Sequence, residues 1–465
     1  MKSSISNYKR VLHWTCFLLI IFTSCKKFVE INPPSSQLIT STVFNSDATA
    51  ISTIVGTYSK MSSSSGFISG TPGSISFLAG LSADELSNYS LAAVQGEFSN
   101  NALTPTNSLV YSSLWQEPYQ YIYNANSALI GLENSSDLTP LTKNQLIGEA
   151  KFVRAFCYFY LVNFFDNVPL VSTINYKTNS LASRTDKSVV YQQIIDDLKD
   201  AEALLPSDYS FANNERARPI KWAASALLAR AYLFRGDWIN AESSSTKVIN
   251  QNTLYDTVAL SKVFLKNSKE AIWQLQPVKP GLNTNEGVNF ILTSTPNNVA
   301  LSSTLVNSFE FGDNRKAEWV GTFNVGSSTY YYPYKYKIKA TGQSITEYSM
   351  VLRISEQYLI RAEARAQQNN ISGSQADLNV VRKRAGLLNV SASTKTDLLN
   401  AIIHERQVEL FTELGHRWFD LKRNNLSNNI LGPLKAPNWQ PADTLYPIPQ
   451  TDISNDPNLT QNPGY

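Results

Sequence analysis

The chain contains little cysteine and little histidine, with three residues of each among its 465. Cys16 and Cys25 lie in or directly after an apolar stretch near the N-terminus, so Cys157 is alone in the rest of the chain. Without a second cysteine, an exported form of this chain cannot use disulfides and must be stabilised by packing. Once the N-terminal stretch is removed only His404 and His416 remain, which excludes a histidine-rich metal site.

An excess of charge of either sign is also missing. The chain has 40 Lys and Arg against 37 Asp and Glu, and three of the basic residues lie within the first 24 positions. A chain cleaved there is neutral, so it has no basic field with which to hold nucleic acid. Aromatic residues are abundant, with 23 Tyr, 21 Phe and 8 Trp, which suits either a helical core or a surface that holds ligands on exposed rings.

Residues 1–24 are predicted to be an export signal. Lys2, Lys9 and Arg10 precede an apolar run over residues 14–22, which is shorter than the roughly 20 residues that a membrane span requires. The run ends in small residues before Cys25, an arrangement that resembles a bacterial lipobox, in which the cysteine carries lipid. We therefore predict a lipoprotein signal, lipidation at Cys25 and a polar tether over residues 25–42. A plain signal peptide with an incidental cysteine is the alternative.

Helical spacing of apolar residues dominates the rest of the chain. It predicts a helix that begins near residue 47 and further helices over residues 114–132, 146–165, 186–205, 219–235, 238–249, 353–367 and 374–385. Pro169, Pro206 and Gly236 follow three of these segments and act as stop signals. The Ser- and Gly-rich residues 62–76 are predicted to be a loop.

Two helix pairs have the spacing of tetratricopeptide repeats. Ala229 lies twelve residues before Ala241, and small residues at such positions let paired helices pack closely. The helices at 353–367 and 374–385 form a similar pair far along the chain. We predict a mainly α fold of tetratricopeptide-like helical repeats in a single domain over residues 43–465, with a loop-rich, partly β insertion at about 251–350.

The insertion contains one strand signal. Tyrosines and lysines alternate over residues 329–340, which predicts a strand whose lysine face is exposed to solvent. Pro333 indicates that this strand lies at the edge of a sheet. Cross-strand packing is the preferred role for these tyrosines, and ligand stacking is the alternative. The Pro- and Asn-rich tail at residues 431–465 is predicted to pack back on the body.

The segment at residues 403–423 is the most densely charged. Glu405, Glu409 and Glu413 step by four along one predicted helical face, where we expect them to pair with cations such as Arg406 and Arg417. A catalytic interpretation fails on two grounds. A zincin helix needs a second histidine where position 408 is valine, and glycosidase carboxylates face each other across a sugar from different elements. We therefore assign the segment to the scaffold.

Other catalytic signatures are missing from the sequence. No nucleophile elbow, Walker loop or dinucleotide fingerprint occurs in a suitable context. Cys157 lies on an apolar helical stripe, which favours a core role over a nucleophilic one. The Ser-Ala-Asp-Glu turn at residues 82–85 could contact a ligand, although residues of this kind more often cap a helix.

Several short motifs follow one another in a fixed order through nearly the whole chain. They are Cys25-Lys26-Lys27 with Asn32-Pro33-Pro34; Ser82-Ala83-Asp84-Glu85 with Trp115 and Ala125-Asn126; residues 150–155 with Asp166-Asn167-Val168-Pro169-Leu170; Arg353-Ile354-Ser355-Glu356 with Arg361-Ala362-Glu363-Ala364; Glu405-Arg406 with residues 415–421; and Gln461-Asn462-Pro463-Gly464-Tyr465. Each is unspecific alone. In this order they resemble the SusD/RagB family of nutrient-binding outer-membrane lipoproteins.

The resemblance implies a helical-repeat protein that is lipid-anchored and surface-exposed at the cell outer membrane. Such a protein binds glycans or peptides and delivers them to a SusC-like TonB-dependent transporter, without catalysis and without a cofactor. Two alternatives stay open: a surface glycoside hydrolase, and a structural repeat adaptor with protein partners only.

Ligand contacts vary within this family and no motif carries them. In similar proteins they come from the loop after the Asp-Glu turn and from the insertion. The corresponding candidates in this chain are Asn88, Tyr89, Phe290 and Trp319. Local packing is the alternative for each of them.

Overall fold

The computed structural model of the protein describes residues 43–63 and 66–465. The predicted signal, the lipidation site at Cys25 and the tether lie outside the described residues. Among the helices of the described part, none combines the length and the hydropathy needed to cross a bilayer.

Helices make up most of the described chain. They are α1 (Asp47–Met61), α2 (Ile75–Ser82), α3 (Ala93–Asn100), α4 (Glu117–Asn134), α5 (Pro140–Phe165), α6 (Tyr176–Asn179), α7 (Lys187–Leu204), α8 (Lys221–Arg235), α9 (Trp238–Ile249), α10 (Asn285–Phe290), α11 (Ser303–Ser308), α12 (Asn314–Trp319), α13 (Ile354–Gln367), α14 (Ile371–Arg384), α15 (Lys395–Leu410), α16 (His416–Arg423), α17 (Ser427–Leu434) and α18 (Gln450–Asn455). A π-helix at Val110–Gln116 runs directly into α4. Short 3₁₀ turns occur at Ser210–Ala212, Leu260–Lys262 and Pro441–Thr444.

The helices predicted from apolar spacing are confirmed, with small changes at their ends. The largest change is in α5, which begins at Pro140 and not at residue 146. Thr139 caps this helix by accepting a hydrogen bond from the Thr142 amide, and proline is well suited to the first turn because its missing N–H needs no partner there. Gly236 ends α8 in the left-handed conformation, with φ of 72°, as its position predicted.

The long helices stack one on the next. α4 packs on α5, α5 on α7, α7 on α8, α8 on α9, α9 on α13, and α13 on both α14 and α15. Ala229 and Ala241 are fully buried, which allows the close approach of α8 and α9 that their spacing predicted. The predicted mainly α fold of tetratricopeptide-like repeats is therefore confirmed.

Buried ion pairs also join helices of the stack. Arg154 on α5 donates to both carboxylate oxygens of Asp197 on α7, at 2.7 and 2.8 Å. Arg230 on α8 reaches across to Glu356 on α13 with two bonds of 2.6 Å. Cys157 lies in the interior of α5, where burial raises the pKa of its thiol well above 9.0, so its predicted core position is confirmed.

Eight short strands form four antiparallel pairs within the described residues. β1 (Leu86–Asn88) pairs with β5 (Val299–Leu301), β2 (Val168–Pro169) with β3 (Arg184–Thr185), β4 (Ala271–Leu275) with β8 (Ser349–Arg353), and β6 (Val320–Val325) with β7 (Ser328–Pro333). Five of these strands, β4 to β8, lie between α9 and α13, together with the short helices α10 to α12. This part of the chain is the loop-rich, partly β lobe of the fold.

The strand predicted over residues 329–340 forms only in its first half. β7 ends at Pro333, which pairs with Val320 at the start of β6. The prediction that the lysine side chains are exposed to solvent is wrong for Lys335, which is only 4% exposed. Its ammonium group is enclosed by the end of α15, a long-range contact that local alternation cannot reveal.

The C-terminal tail lies on the body, as predicted. Tyr446 is fully buried, and its amide donates to the carbonyl oxygen of Phe164 at 2.9 Å. The Asn462 side-chain amide donates to the carbonyl oxygens of Phe165 and Tyr446 at 3.0 and 2.8 Å. These bonds tie the tail to the end of α5.

Candidate functional site

Two of the four predicted ligand contacts lie in the interior. Trp319 is fully buried, and its indole N–H donates to the carbonyl oxygen of Leu260 at 3.1 Å. Phe290 is also buried and stacks on Phe77, with ring centroids 5.5 Å apart. The structure does not support a ligand role for either residue, because neither ring is accessible.

The other two candidates, Asn88 and Tyr89, lie at the surface at the end of β1. Asn88 pairs with Val299 of β5, and its side-chain oxygen accepts a hydrogen bond from the Ser90 amide at 3.0 Å. This bond makes an Asx turn that fixes the path of the chain beyond the strand. The Tyr89 amide donates to the carbonyl oxygen of Asn298 at 2.8 Å, while its side chain stays 40% exposed.

Tyr89 meets a second tyrosine from the distant β6–β7 hairpin. Its ring contacts that of Tyr330 edge to face, with centroids 5.7 Å apart and an interplanar angle of 82°. Tyr332 lies two residues further along β7 and therefore on the same face of the strand as Tyr330. We call Tyr89, Tyr330 and Tyr332 together the tyrosine surface.

A glycine lets the third ring of this surface lie flat on the hairpin. Gly321 stands opposite Tyr332 in the β6–β7 register. A Cβ at Gly321 would lie 2.2 Å from the Cζ atom of the Tyr332 ring, so any other residue would displace the ring. Partial burial, and then the neighbouring Tyr334, raise the pKa of Tyr332 above 10.0, so its hydroxyl stays protonated at neutral pH.

The tyrosine surface is therefore a set of partly exposed rings on short, paired strands. The hydroxyl groups of the three tyrosines supply polar atoms at the ring edges, whereas Asn324 and Thr329, which hydrogen-bond to each other at 2.8 Å, lie on the opposite face of the hairpin. Rings of this kind bind ligands that have an apolar face, and neighbouring hydroxyls and amides bind the polar edges. The alternation of tyrosines in the sequence was the signal for this surface, although it did not reveal the contact with Tyr89.

The end of the tyrosine strand is fixed to the scaffold by Lys335. Its ammonium group donates to the carbonyl oxygens of Glu409 and Phe411, at 2.9 and 2.8 Å, and to the Glu413 carboxylate. These carbonyls belong to the C-terminus of α15, where the helix dipole favours a cation. Burial lowers the pKa of Lys335 to about 8, against the opposing effect of Glu413.

Lys335 belongs to a buried cluster of ion pairs that joins the β lobe to α14 and α15. We call it the charge cluster, and its members are Glu270, Asp313, Arg315, Lys335, Arg353, Arg384, Glu405, Glu409 and Glu413. Arg315 donates to Glu405 at 2.6 Å and to Glu409 at 2.9 Å. Arg353 holds Glu413 with bonds of 2.7 and 2.9 Å.

The predicted scaffold role of Glu405, Glu409 and Glu413 agrees with these contacts, but their predicted partners are wrong. Arg406 pairs with Asp420, and Arg417 pairs with Asp84. The prediction that all three glutamates lie on one helical face is wrong for Glu413, because α15 ends at Leu410. The cations come instead from distant parts of the chain, which sequence spacing alone cannot identify.

Cations control the protonation of the central glutamate. Burial by itself would raise the pKa of Glu409, but Arg384, Arg353 and Arg315 outweigh it and lower the pKa well below 4.5. Glu409 is therefore ionised, fully buried and hydrogen-bonded on both oxygens. In this structure it is not accessible to a substrate.

The turn at residues 82–85 is also a buried structural feature. α2 ends at Ser82, so the turn does not cap the start of a helix, and the capping prediction is wrong. Asp84 instead accepts two hydrogen bonds from the Arg417 guanidinium, at 2.8 and 2.7 Å. Burial, and then the Asp84 charge, raise the pKa of the adjacent Glu85 to about 8.

Comparison with known proteins gives consistent matches along the chain. A sequence model of the SusD family matches residues 321–465, and a second model, described as starch-binding associating with outer membrane, matches residues 27–233. A SusD-like protein of Formosa agariphila is 28% identical over 512 aligned positions, which cover 96% of this chain and 98% of that protein. The starch-binding protein SusD of Bacteroides thetaiotaomicron is 34% identical over a shorter stretch that covers 25% of this chain and 21% of that protein.

Solved structures have the same fold. A SusD-like carbohydrate-binding protein from Bacteroides fragilis superposes with a TM-score of 0.78 at 21% identity, covering 90% of this chain and 100% of that one. A laminarin-binding SusD-like protein superposes with a TM-score of 0.77 at 24% identity, covering 90% and 99% of the two chains. At these identities the likeness establishes the fold.

Proposed function

This chain belongs to the SusD family, and on that premise we propose that it is a non-catalytic lipoprotein that binds oligosaccharides at the surface of the outer membrane. It delivers them to a SusC-like TonB-dependent transporter. Residues 25–42 form the lipidated tether, and residues 43–465 act as one binding domain.

The tyrosine surface is the observation that carries the proposal. Tyr89 and Tyr330 come from segments far apart in the sequence, yet the paired strands bring their rings into contact at 5.7 Å. Pyranose rings have apolar C–H faces that stack on aromatic rings, and their hydroxyl groups need amide or hydroxyl partners at the edges. Neighbours described as carbohydrate-binding and laminarin-binding favour a glycan over a peptide.

The charge distribution supports binding without hydrolysis. A glycosidase needs two carboxylates that face each other across a sugar, about 5 to 9 Å apart. Glu405 and Glu409, which the sequence singled out, are buried and bound to Arg315. They are thus part of the support beneath the β lobe and not part of an accessible site.

The outer-membrane location rests on two observations. The second family model, over residues 27–233, carries a description that places its members at the outer membrane. Cys25 follows an apolar run and small residues, the pattern expected of a lipidated cysteine. A binding protein anchored in this way is positioned to pass ligands to a transporter in the same membrane.

A glycan and peptide array with the soluble domain, residues 27–465, tests the proposal. We expect one class of oligosaccharide to bind and no reducing sugar to be released from it. Binding of peptides alone would contradict the glycan assignment. Binding of no small ligand would favour the structural adaptor, and release of reducing sugar would favour the hydrolase.

A further inference from the structure

A pocket of about 430 Å³ lies between the start of α4, the loop after β2 and helix α18. It shares no lining residue with the tyrosine surface. Its volume falls within the range of small-molecule sites, about 300–1,000 Å³. Four aromatic rings line it, from Tyr111, Trp115, Tyr119 and Tyr123. The lining also includes four amide side chains, two carboxylates and Ser180, which follows α6.

The backbone that presents two of these rings is unusual. Residues Val110–Gln116 form a π-helix immediately before α4. The side-chain amide of Gln116 donates to the Tyr111 hydroxyl at 3.3 Å, five residues back, which matches the wider turn. π-helical turns are rare and occur frequently at functional sites.

The aromatic wall is rigid at its base and accessible at its rim. Trp115 is buried and packs against Phe165 and Tyr119, with ring centroids 4.9 and 5.1 Å apart. Tyr119 is held by a hydrogen bond of 2.9 Å from its hydroxyl to the carbonyl oxygen of Pro169. Tyr123, in contrast, is 45% exposed. A ligand ring could therefore stack on a preformed surface.

Polar groups on the lining are available to a ligand. Within the described residues, neither the side-chain hydroxyl of Tyr123 nor the side-chain amide of Asn455 makes a hydrogen bond. Asp456 uses one carboxylate oxygen to accept from the Asn458 amide at 2.9 Å, which leaves the other oxygen free. Hydroxyl groups of a sugar are suitable partners for this mixture of donors and acceptors.

The charged residues that line the pocket are both acidic. Asp452 and Asp456 stand one turn apart on and after α18, and no Lys, Arg or His is among the described residues that line the pocket. An anionic ligand would meet repulsion from these two carboxylates, whereas a neutral or cationic one would not; Arg184, whose charge also acts on Tyr119, lies outside the lining. Aromatic rings add an attraction for cations.

We propose that this pocket is a second saccharide-binding site, which takes a pyranose ring that is uncharged or carries an ammonium group and rejects rings that carry a carboxylate. The choice of a sugar as the ligand class rests on the proposed function. The site itself is independent of the tyrosine surface.

Saturation-transfer NMR on the soluble domain tests this proposal with three probes: methyl β-D-glucopyranoside, methyl β-D-glucosaminide and methyl β-D-glucuronide. Tyr123→Ala removes the exposed ring, and Ser180→Trp fills the pocket from its loop. Tyr176→Ala is the matched control, since Tyr176 is 73% exposed and does not line the pocket. Urea unfolding establishes that each variant is folded.

We expect signals from the neutral and amino glycosides. The part of the binding that Ser180→Trp abolishes should be about fivefold weaker in Tyr123→Ala and unchanged in Tyr176→Ala, while binding at the tyrosine surface should remain. The glucuronide should give no signal that depends on the pocket. Absence of all signals, signals unchanged in both pocket variants, or equal binding of the glucuronide would overturn the proposal.

A Tyr89→Ala variant separates this inference from the proposed function. Signals lost only in Tyr89→Ala would overturn the second site and leave the tyrosine surface supported. A partial loss in each of Ser180→Trp and Tyr89→Ala would support both sites, whereas a complete loss in Ser180→Trp with no change in Tyr89→Ala would support the second site and count against the tyrosine surface.

Discussion

The Lys335 ammonium group donates to the carbonyl oxygen of Phe411 at 2.8 Å and lies 4.0 Å from the centroid of the Phe411 ring. Phe411 directly follows the last residue of α15, and Lys335 lies two residues beyond the end of β7. This contact therefore connects the tyrosine strand to the helical scaffold. It gives the β lobe a fixed position, on which a rigid binding surface depends.

Replacing Lys335 with methionine should destabilise the protein. The change removes the donor for two buried carbonyls and for Glu413, and breaking a buried ion pair in this way costs about 3–5 kcal/mol. Urea unfolding of the soluble domain measures the loss. Lys316→Met is the control, because Lys316 is exposed on α12, and it should change the free energy of unfolding by less than about 0.5 kcal/mol. Equal stability of the two variants would contradict the anchoring role.

Glu85 gives a prediction about pH. Burial, and then Asp84, raise its pKa from 4.5 to about 8, so above pH 4.5 the folded chain retains a proton that the unfolded chain has lost. The stability contributed by this proton is complete below pH 4.5 and is lost as the pH rises to about 8.

Glu85→Gln should therefore become more stable than the wild type as the pH rises through this window, because glutamine imitates the neutral carboxyl and does not titrate. We expect a difference on the order of 3 kcal/mol at pH 8.5 and little difference at pH 4.5. Urea unfolding at both pH values measures it. Glu133→Gln, at an exposed position, should show no such trend. A difference that is independent of pH would contradict burial of a neutral Glu85.

Trp418→Ala should lower stability without changing ligand affinity. The ring is fully buried and packs near Trp439 and Tyr446, with centroids 6.4 and 5.6 Å away. Replacing a buried tryptophan by alanine costs about 3–5 kcal/mol. Thermal unfolding measures the loss, and glycan titration of the folded fraction measures affinity. Normal melting with lost binding would show that the segment at residues 403–423 takes part in binding.

The proposed lipid anchor predicts where the protein is found when cells are fractionated. The wild-type chain should be extracted with the outer membrane, carry lipid at Cys25 and copurify in detergent with a large β-barrel transporter. Cys25→Ala should be released from the membrane. Mass spectrometry of the extracted protein measures the lipid. Recovery of the wild type only as a free periplasmic protein would exclude the proposed partnership.

Local sequence patterns were sufficient for the helices but not for the site. Apolar spacing, Pro206 and Gly236 determine elements through contacts within a few residues, so those elements could be predicted closely; the start of α5 at Pro140 was missed because residues 140–145 carry no clear apolar stripe. Lys335, Arg353 and Glu413 meet through tertiary contacts, and an alternating or four-residue pattern carries no information about such partners. The meeting of Tyr89 with Tyr330 is of the same kind. Trp319 was predicted to contact a ligand because it lies in the loop-rich lobe, but its ring is fully buried in the core.

The most direct test is a titration of the soluble domain with the strongest glycan from the array, in Tyr330→Ala and Tyr331→Ala variants. These neighbours lie on opposite faces of β7, so the two changes remove similar rings from one strand. We predict that Tyr330→Ala weakens binding by about three- to tenfold and that Tyr331→Ala leaves it unchanged. Unchanged affinity in Tyr330→Ala, or an equal loss in both variants, would contradict the tyrosine surface as the binding site.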